Sequence, residues 1–208
     1  MSYRFEEVDK VKKDLRSVDY LADDGIAGIV YLGDRLQKPI LVEGPAGTGK
    51  TQLAKSVADM TGSRLIRLQC YEGLDESKAL YEWNYKKQLL SIQTEQDSKN
   101  LFTEEFLIDR PILQALRSDE KSIFLVDEID RSDEEFEALL LEVLAENKVS
   151  IPELGTITSK NDNLTVLTSN ATRELSEALR RRCLYFYLDY PSVDIETKVI
   201  LNNVENID

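Results

Sequence analysis

The segment GPAGTGKT at residues 44–51 constrains the fold of this chain more than any other feature. It matches the pattern G-x-x-x-x-G-K-[ST], whose glycines let backbone N–H groups turn inward around phosphate oxygens. An apolar run at residues 39–42 precedes the segment, and residues 50–59 carry an apolar helical face. The segment therefore lies between a strand and a helix, the context that the pattern requires. A glycine-rich turn with an unrelated lysine is the alternative.

This motif predicts a nucleoside triphosphate with magnesium, ATP being the expected nucleotide. Lys50 is expected to reach the β- and γ-phosphates, and Thr51 to place its hydroxyl on Mg²⁺. The following helix adds its positive N-terminal end. The residues predicted to bind the nucleotide are Gly44, Pro45, Ala46, Gly47, Thr48, Gly49, Lys50, Thr51 and Gln52.

Composition narrows the chemistry that the chain can perform. Among its 208 residues are 39 Asp and Glu, 26 Lys and Arg and no histidine, which gives a net charge of −13. Without histidine, Ser-His-Asp and Cys-His catalysis are excluded, so a general base must be a carboxylate. The acidic balance disfavours a nucleic-acid surface, because such surfaces need clustered positive charge.

The same composition predicts a cytoplasmic protein. No apolar run approaches the roughly 20 residues of a membrane span, and the N-terminus lacks a signal-like apolar segment. Cys70 and Cys183 are far apart and lack metal-ligand spacing. We expect both to be free, buried thiols at strand ends.

Short apolar runs alternate with amphipathic helices along the chain, which predicts a parallel sheet with helices on both faces. Residues 149–151 and 156–158 flank a turn and are interpreted as an inserted β-hairpin. Residues 71–106 are mixed and partly helical. Ser132 and Glu135 match an S-x-x-E capping box at the start of a helix, and a second helix is predicted over residues 174–182.

The run IFLVDE at residues 123–128 is an apolar strand that ends in two acids. In an open parallel sheet the carboxyl ends of the strands border the ligand crevice. Asp127 is therefore a candidate magnesium ligand, and Glu128 a candidate base that polarises the attacking water. The alternative is that these acids favour the N-terminus of the next helix.

Two further polar features follow the acids. Asn170 comes directly after the strand at residues 164–169 and could orient the attacking water, or cap the next helix instead. Arg180, Arg181 and Arg182 close a helix, where cations interact favourably with the helix dipole. Because three adjacent residues cannot share one helical face, at least one arginine is expected to project outward, where it could reach a phosphate bound to a neighbouring subunit.

The ordered set GPAGTGKT, IFLVDEID, TSN and LSEALRRRC resembles the core of an AAA+ ATPase, over about residues 20–200. The stretch DEIDRSDEEFEALLLEVLAENKVSI is similar to the MoxR branch of that family. The stretches LQCYEGLDESKALYEWNYKKQLL and RRRCLYFYLDYPS resemble its CoxD-like subgroup, which is associated with maturation of molybdenum hydroxylases such as carbon-monoxide dehydrogenase.

This resemblance implies a P-loop NTPase fold with a three-layer core and a five-stranded parallel sheet. It also implies that strand 164–169 inserts between the strands ending at Glu43 and Val126. Asn170 then corresponds to the family's sensor residue and Arg182 to its arginine finger, with Arg181 as the next candidate. The stretch from Tyr20 to Tyr31 would cover the adenine.

Further implications concern assembly and partners. The family forms hexameric rings, so a homo-oligomer, a client protein and a partner of the von Willebrand A type are expected. The candidates for contacting the client or lining a central pore are Tyr71, Tyr81, Trp83 and Tyr85, although ordinary packing of these aromatics is the more economical interpretation.

The sequence departs from the family pattern at its carboxyl end. The family has a helical lid after this core, whereas here residues 194–208 could form one lid helix at most. We divide the chain into an AAA+ domain over 1–193 and the start of a lid over 194–208. The favoured function is an ATP-hydrolysing remodelling chaperone; a nucleic-acid motor or clamp-loader-like ATPase and a slow nucleotide-dependent binding module are the alternatives.

Overall fold

The computed structural model describes residues 3–94 and 100–203 as an α/β fold. After two N-terminal helices, strands and helices alternate from residue 40 onward, except that β6, β7 and β8 follow one another without an intervening helix. The helices are α1 (Val8–Ser17), α2 (Asp24–Leu36), α3 (Lys50–Thr61), α4 (Glu76–Ala79), α5 (Tyr85–Thr94), α6 (Pro111–Arg117), α7 (Glu134–Glu146), α8 (Glu177–Arg182) and α9 (Val193–Asn203). The strands are β1 (Ile40–Glu43), β2 (Arg64–Gln69), β3 (Tyr81–Trp83), β4 (Leu107–Asp109), β5 (Ser122–Asp127), β6 (Lys148–Ile151), β7 (Gly155–Thr158), β8 (Leu164–Ser169) and β9 (Leu184–Tyr187).

Five strands form the central sheet in the order β2-β5-β8-β1-β9. All neighbouring pairs are parallel. The predicted five-stranded parallel sheet is therefore confirmed, and so is the insertion of β8 between β1 and β5. This order brings the carboxyl ends of β1, β8 and β5 side by side.

Alternate residues of the central strands face two apolar clusters, one on each side of the sheet. Leu41, Val126 and Leu167 belong to a cluster with α6, α7 and the β6–β7 hairpin. Ile40 and Leu125 belong to the other, with α1, α2 and α3. Strands buried on both faces need apolar residues at successive positions, which explains their continuous apolar runs. The predicted three-layer core is confirmed.

Helix α7 begins differently from the prediction. Asp133 is its N-cap, and its side chain accepts the Phe136 N–H at 2.9 Å. The Ser132 hydroxyl instead donates to the Ile129 carbonyl at 2.8 Å, within a 3₁₀ turn at residues 129–131. The predicted capping box of Ser132 and Glu135 is therefore wrong, because Asp133, one residue later, is the N-cap of the helix.

Helix α8 is shorter than predicted. It begins at Glu177 rather than at residue 174, since the Ser176 side chain caps it by accepting the Leu179 N–H at 3.3 Å. The β6–β7 hairpin is antiparallel, as expected.

The mixed segment at residues 71–106 contains β3, which pairs with β4 just beyond the segment in a small antiparallel sheet that the sequence did not reveal. Trp83 is buried in it and packs edge-on against Tyr81 and Phe102, at centroid distances of 6.0 and 5.2 Å. Tyr71 and Tyr85 are exposed. Packing thus accounts for Trp83 and Tyr81 among the four candidate contact aromatics.

At the carboxyl end, α9 reaches Asn203, and residues 204–208 of the predicted lid segment lie outside the described residues. Both cysteines are free; Cys70 is buried, whereas Cys183 is half-buried at the C-cap of α8, so the prediction of two buried thiols is wrong for Cys183. Within residues 3–94 and 100–203, no helix combines the length and apolar character needed to cross a bilayer.

Candidate nucleotide-binding site

The turn between β1 and α3 is shaped by its glycines. A Cβ on Gly44 would lie 2.0 Å from the Leu188 carbonyl oxygen, so only glycine fits where the chain leaving β9 runs beside the loop. The Leu188 N–H donates to the Glu43 carbonyl at 2.7 Å and continues the parallel pairing of β9 with β1. Gly49, the N-cap of α3, has a φ of 92°, in the left-handed region that favours glycine.

Lys50 lies in the first turn of α3 and is buried, with 6% of its surface exposed. Its Nζ donates to the Gly44 carbonyl at 2.7 Å and to the Pro45 carbonyl at 2.6 Å. A buried ammonium is costly unless it is hydrogen-bonded, and these two carbonyls supply that compensation. The loop therefore holds a positive charge within its own concave face.

Burial lowers the pKa of Lys50 below its ordinary value. The negative charges of Asp130, Asp127 and Glu128 act in the opposite direction. The positive charge of the lysine is thus close enough to interact with three carboxylates at and just after the carboxyl end of β5.

Asp127 ends β5 and is buried, with 2% of its surface exposed. Its Oδ1 accepts the Thr51 hydroxyl at 2.9 Å and the Thr168 hydroxyl at 2.6 Å. Its Oδ2 accepts from Arg67 on β2, from Nε at 3.1 Å and from an Nη at 2.6 Å. The Thr51 contact joins the loop to the strand tip, across 76 residues of sequence.

Glu128 follows with left-handed backbone angles of φ 56° and ψ 50°. Its backbone N–H donates to the Thr168 hydroxyl at 2.9 Å. Its Oε2 accepts from Gln69 Nε2 at 3.0 Å and from Arg131 at 3.2 Å. Left-handed geometry is costly for a residue with a Cβ, and such strain persists where the surroundings fix it. Here the contacts to Gln69 and Thr168 do so.

Asn170 follows β8 directly and is half-buried, so the sheet order places it between the loop and Glu128. Close by, Asp130 is buried and accepts the Thr172 hydroxyl at 2.7 Å and the Thr172 N–H at 3.0 Å. Burial alone would raise the pKa of Asp130, but the hydrogen bonds, those from Thr172 first, outweigh it and hold that pKa below its usual value. This pairing fixes the segment after Asn170 against the 3₁₀ turn.

The three arginines of α8 are exposed, and no hydrogen bond or ion pair among the described contacts joins them to Lys50, Asp127 or Glu128. Arg181 pairs with Glu177, and Arg182 donates to the Ala178 carbonyl at 3.2 Å, both within their own helix. Arg180 lines a cavity of about 350 Å³ together with Glu43 and Arg173. The structure therefore brings together the loop, the two acids and Asn170, but does not bring Arg181 or Arg182 to them.

A cleft of about 1130 Å³ opens beside the loop. Gly47, Gly49 and Gln52 line one part of it and residues 18–23 another. Residues 186–192, α9 and the side chains of α1 line the rest. Burial, followed by the negative charge of Asp23, raises the pKa of Tyr20, so its hydroxyl stays protonated. The predicted adenine segment thus borders the cleft through its first residues; its role stays a prediction.

Sequence reasoning missed four side chains that surround the acids: Arg67, Gln69, Thr168 and Asp130. Arg67 and Gln69 lie on β2, and the register that pairs Gln69 with Asp127 places them beside the acids. Alternation of Arg67 and Gln69 with the apolar Ile66 and Leu68 was the available signal. It shows that this edge strand has one polar face, but not what that face contacts.

The parallel sheet, the glycine turn with its lysine, and the acids at the neighbouring strand tip define a P-loop α/β domain. A family model described as the AAA domain, dynein-related subfamily, matches residues 39–183. The chain belongs to this AAA domain family.

Several proteins resemble the chain over most of its length. Uncharacterised proteins of Staphylococcus saprophyticus and Staphylococcus aureus are 28% and 26% identical over 172 and 171 residues, which cover 80% and 79% of this chain. The matched region spans 61% and 60% of those relatives. A crystal structure of a candidate ATPase from Cytophaga hutchinsonii aligns with a TM-score of 0.58 and 21% identity, over 95% of this chain and 58% of the other. At that identity the likeness concerns the fold alone.

Proposed function

We propose that this chain binds ATP with Mg²⁺ and hydrolyses the bond between its β- and γ-phosphates, which yields ADP and phosphate. The observation that carries the proposal is the 2.9 Å hydrogen bond between Thr51 Oγ1 and Asp127 Oδ1. It joins the end of the glycine loop to an acid from a different strand. Hydroxyl and carboxylate oxygens are the hard ligands that Mg²⁺ prefers, so these residues fit that ion.

Each remaining residue then has a role. Lys50 exchanges its contacts with two loop carbonyls for phosphate oxygens, and the residues from Gly44 to Gln52 surround the phosphates. Glu128 takes the proton of the attacking water, and Asn170 orients that water. When bound, Mg²⁺ neutralises charge that develops on the phosphate oxygens.

Arg182, or Arg181 next to it, is proposed to act on the nucleotide of a neighbouring subunit in a ring, with six subunits expected. Support comes from the position of α8 in the fold. Leu184 lies two residues beyond Arg182, and its N–H donates to the Pro39 carbonyl at 2.8 Å. Pro39 directly precedes β1, so this contact lies at the amino end of that strand. The phosphate loop starts at the carboxyl end of the same strand, about 13 Å away for four residues of parallel strand. Arg182 therefore lies toward the amino ends of the strands, whereas its own phosphate loop lies at their carboxyl ends.

At the finest level we propose a MoxR-type remodelling chaperone of the CoxD-like subgroup, which matures a molybdenum hydroxylase such as carbon-monoxide dehydrogenase. The support is the set of sequence stretches that resemble that subgroup. A client protein, a von Willebrand A-type partner, a cytoplasmic setting and a lid beginning near residue 194 belong to this proposal. The chain spans about 60% of the length of the curated relatives that it matches, so these activities of the whole protein are part of the proposal.

The test compares wild type with Glu128→Gln, using binding of a fluorescent ATP analogue and release of phosphate. We expect Glu128→Gln to bind the analogue as wild type does and to release phosphate at least about 100-fold more slowly, the lower range for loss of a general base. Glu135→Gln is the matched control, because Glu135 is exposed on α7. Wild-type turnover in Glu128→Gln would remove Glu128 as the base, and no binding by wild type would contradict the proposal as a whole.

A nucleic-acid motor is the second candidate, since Arg180, Arg181 and Arg182 form an exposed basic cluster. The net charge of −13 disfavours it. Measuring phosphate release with and without DNA separates the two: several-fold stimulation by DNA supports the motor, and binding with negligible turnover supports a slow binding module.

A further inference from the structure

Arg67, on an edge strand of the sheet, contacts one acid of the site directly and the other through Gln69. Its Nε and one Nη donate to Asp127 Oδ2 at 3.1 and 2.6 Å. The same Nη donates to Gln69 Oε1 at 2.5 Å. Gln69 in turn donates to Glu128 at 3.0 Å. One guanidinium is thus connected to the acid predicted to hold the metal and, through an amide, to the acid predicted to activate water.

The chemistry of these groups determines the orientation of the Gln69 amide. An arginine only donates hydrogen bonds, and an ionised carboxylate only accepts them. Arg67 therefore selects the Oε1 end of the amide, which leaves the Nε2 end for Glu128. If the amide were reversed, its oxygen would face the carboxylate and its NH₂ group would face the guanidinium, and both contacts would be lost.

Arg67 also compensates the charge of a buried acid. The Asp127 side chain is 3% exposed, whereas the Arg67 side chain is 46% exposed. A buried carboxylate needs a cation or several donors to remain ionised at low cost. Arg67 supplies the positive charge at Oδ2, so that Oδ1 remains directed to the hydroxyls of Thr51 and Thr168.

We infer that Arg67 is a positioning residue with two separable roles, and this inference rests on the proposed ATPase function. Its charge limits how strongly Asp127 attracts a divalent cation, and its Nη, which contacts both Asp127 and Gln69, holds Glu128 through Gln69. A purely structural ion pair between β2 and β5 would affect stability but neither the magnesium dependence nor the turnover of folded protein.

The two roles predict different results for two variants. Arg67→Gln removes the charge and the fork, so the Mg²⁺ concentration that half-saturates nucleotide binding should fall by on the order of tenfold, the Coulomb effect of a nearby unit charge on a divalent ion in water. Turnover at saturating Mg²⁺ should fall by about 10- to 100-fold, because misplacing a reacting group costs rates of this order. Arg67→Lys keeps the charge, but its ammonium ends one bond short of the Nη from which Arg67 contacts both Asp127 and Gln69. It should therefore restore the magnesium dependence and not the turnover.

The experiment titrates Mg²⁺ against binding of a fluorescent ATP analogue and separately measures phosphate release at saturation. The full chain is used, and unfolding temperatures identify folded variants. Arg64→Gln is the matched control, because Arg64 is an exposed arginine at the start of the same strand; it should match wild type in both assays. If Arg67→Gln does not fold, Arg67→Lys still tests the role in turnover, and Gln69→Leu tests the connection to Glu128 without touching the charge.

The inference is overturned if folded Arg67→Gln matches Arg64→Gln in both assays, or if Arg67→Lys shows wild-type turnover. It is supported if the magnesium dependence and the turnover separate between the two variants as described. Failure of the proposed function is distinguishable, because the wild-type protein itself would then bind no ATP or bind it without releasing phosphate.

Discussion

The tip of β5 and the end of α8 carry opposite charges, and the fold treats them differently. Asp127 accepts hydrogen bonds from three side chains on three other elements, namely Thr51, Thr168 and Arg67. Arg181 and Arg182 are exposed and contact only groups of their own helix among the described contacts. The acidic tip is therefore held within one chain, whereas the arginine end is open to an outside partner.

This difference indicates which functional groups one subunit can complete. Groups that must be positioned precisely for chemistry benefit from fixed partners, because preorganised polar groups need no rearrangement during reaction. Long cationic side chains held only by their own helix remain free to contact an anion that arrives from elsewhere. In the proposed ring, a neighbouring subunit would bring that anion.

Arg182→Ala tests the open cluster and carries the largest expected effect. If Arg182 acts on a neighbouring nucleotide, turnover should fall by about 10³-fold, the lower range for loss of an arginine finger. ATP affinity should stay within about twofold of wild type, since the arginine acts on developing charge. Phosphate release and analogue binding measure the two quantities, with Arg181→Ala as the neighbouring comparison.

Mixing subunits determines whether the effect crosses between chains. Arg182→Ala supplies an intact Glu128, and Glu128→Gln supplies an intact Arg182, so mixed assemblies should regain part of the turnover. An absence of recovery at every mixing ratio would argue that Arg182 acts within its own chain or not at all.

Lys50→Ala tests the preorganised side and should reduce ATP affinity by at least about 30-fold, because loss of a partner from a desolvated charge pair costs about 2–5 kcal/mol. Lys55→Ala is the matched control, since Lys55 is exposed on the same helix. Titration with the fluorescent analogue measures both. Unchanged affinity in Lys50→Ala would contradict the assignment of the phosphate loop.

Sequence patterns predicted the parts of this site that are local. The glycine turn, Lys50 and the acids after β5 each depend on a few adjacent residues, and the order of the central strands came from the family resemblance. The contacts that hold the acids are not local. Arg67 and Asp127 are 60 residues apart, and Thr168 lies 41 residues from Asp127, so both pairs depend on strand register.

The misassigned elements have a similar origin. Asp133 and Ser132 are both favourable N-cap residues, and sequence alone does not decide between neighbours when either begins the helix. Strands β3 and β4 have only three residues each, which is too few for an alternation of apolar and polar residues to be recognised in the sequence.

Thr168→Val has the smallest effect of the three and tests whether the acidic tip depends on a side chain that sequence reasoning missed. The Thr168 hydroxyl donates to Asp127 and accepts the Glu128 N–H, and Thr168 is 1% exposed. Valine has nearly the same shape but leaves both groups without this partner, which costs about 1–3 kcal/mol. Thermal unfolding should detect it, since each kcal/mol corresponds to about 2–4 °C in a domain of this size.

The matched control is Thr165→Val, because Thr165 lies on the same strand and is half-buried. Its unfolding temperature should stay close to that of wild type. If Thr168→Val were equally stable, the Asp127 carboxylate and the Glu128 N–H would have to find replacement partners, water included. The acidic tip would then be less rigid than its contacts indicate, and the contrast with the arginine end of α8 would weaken accordingly.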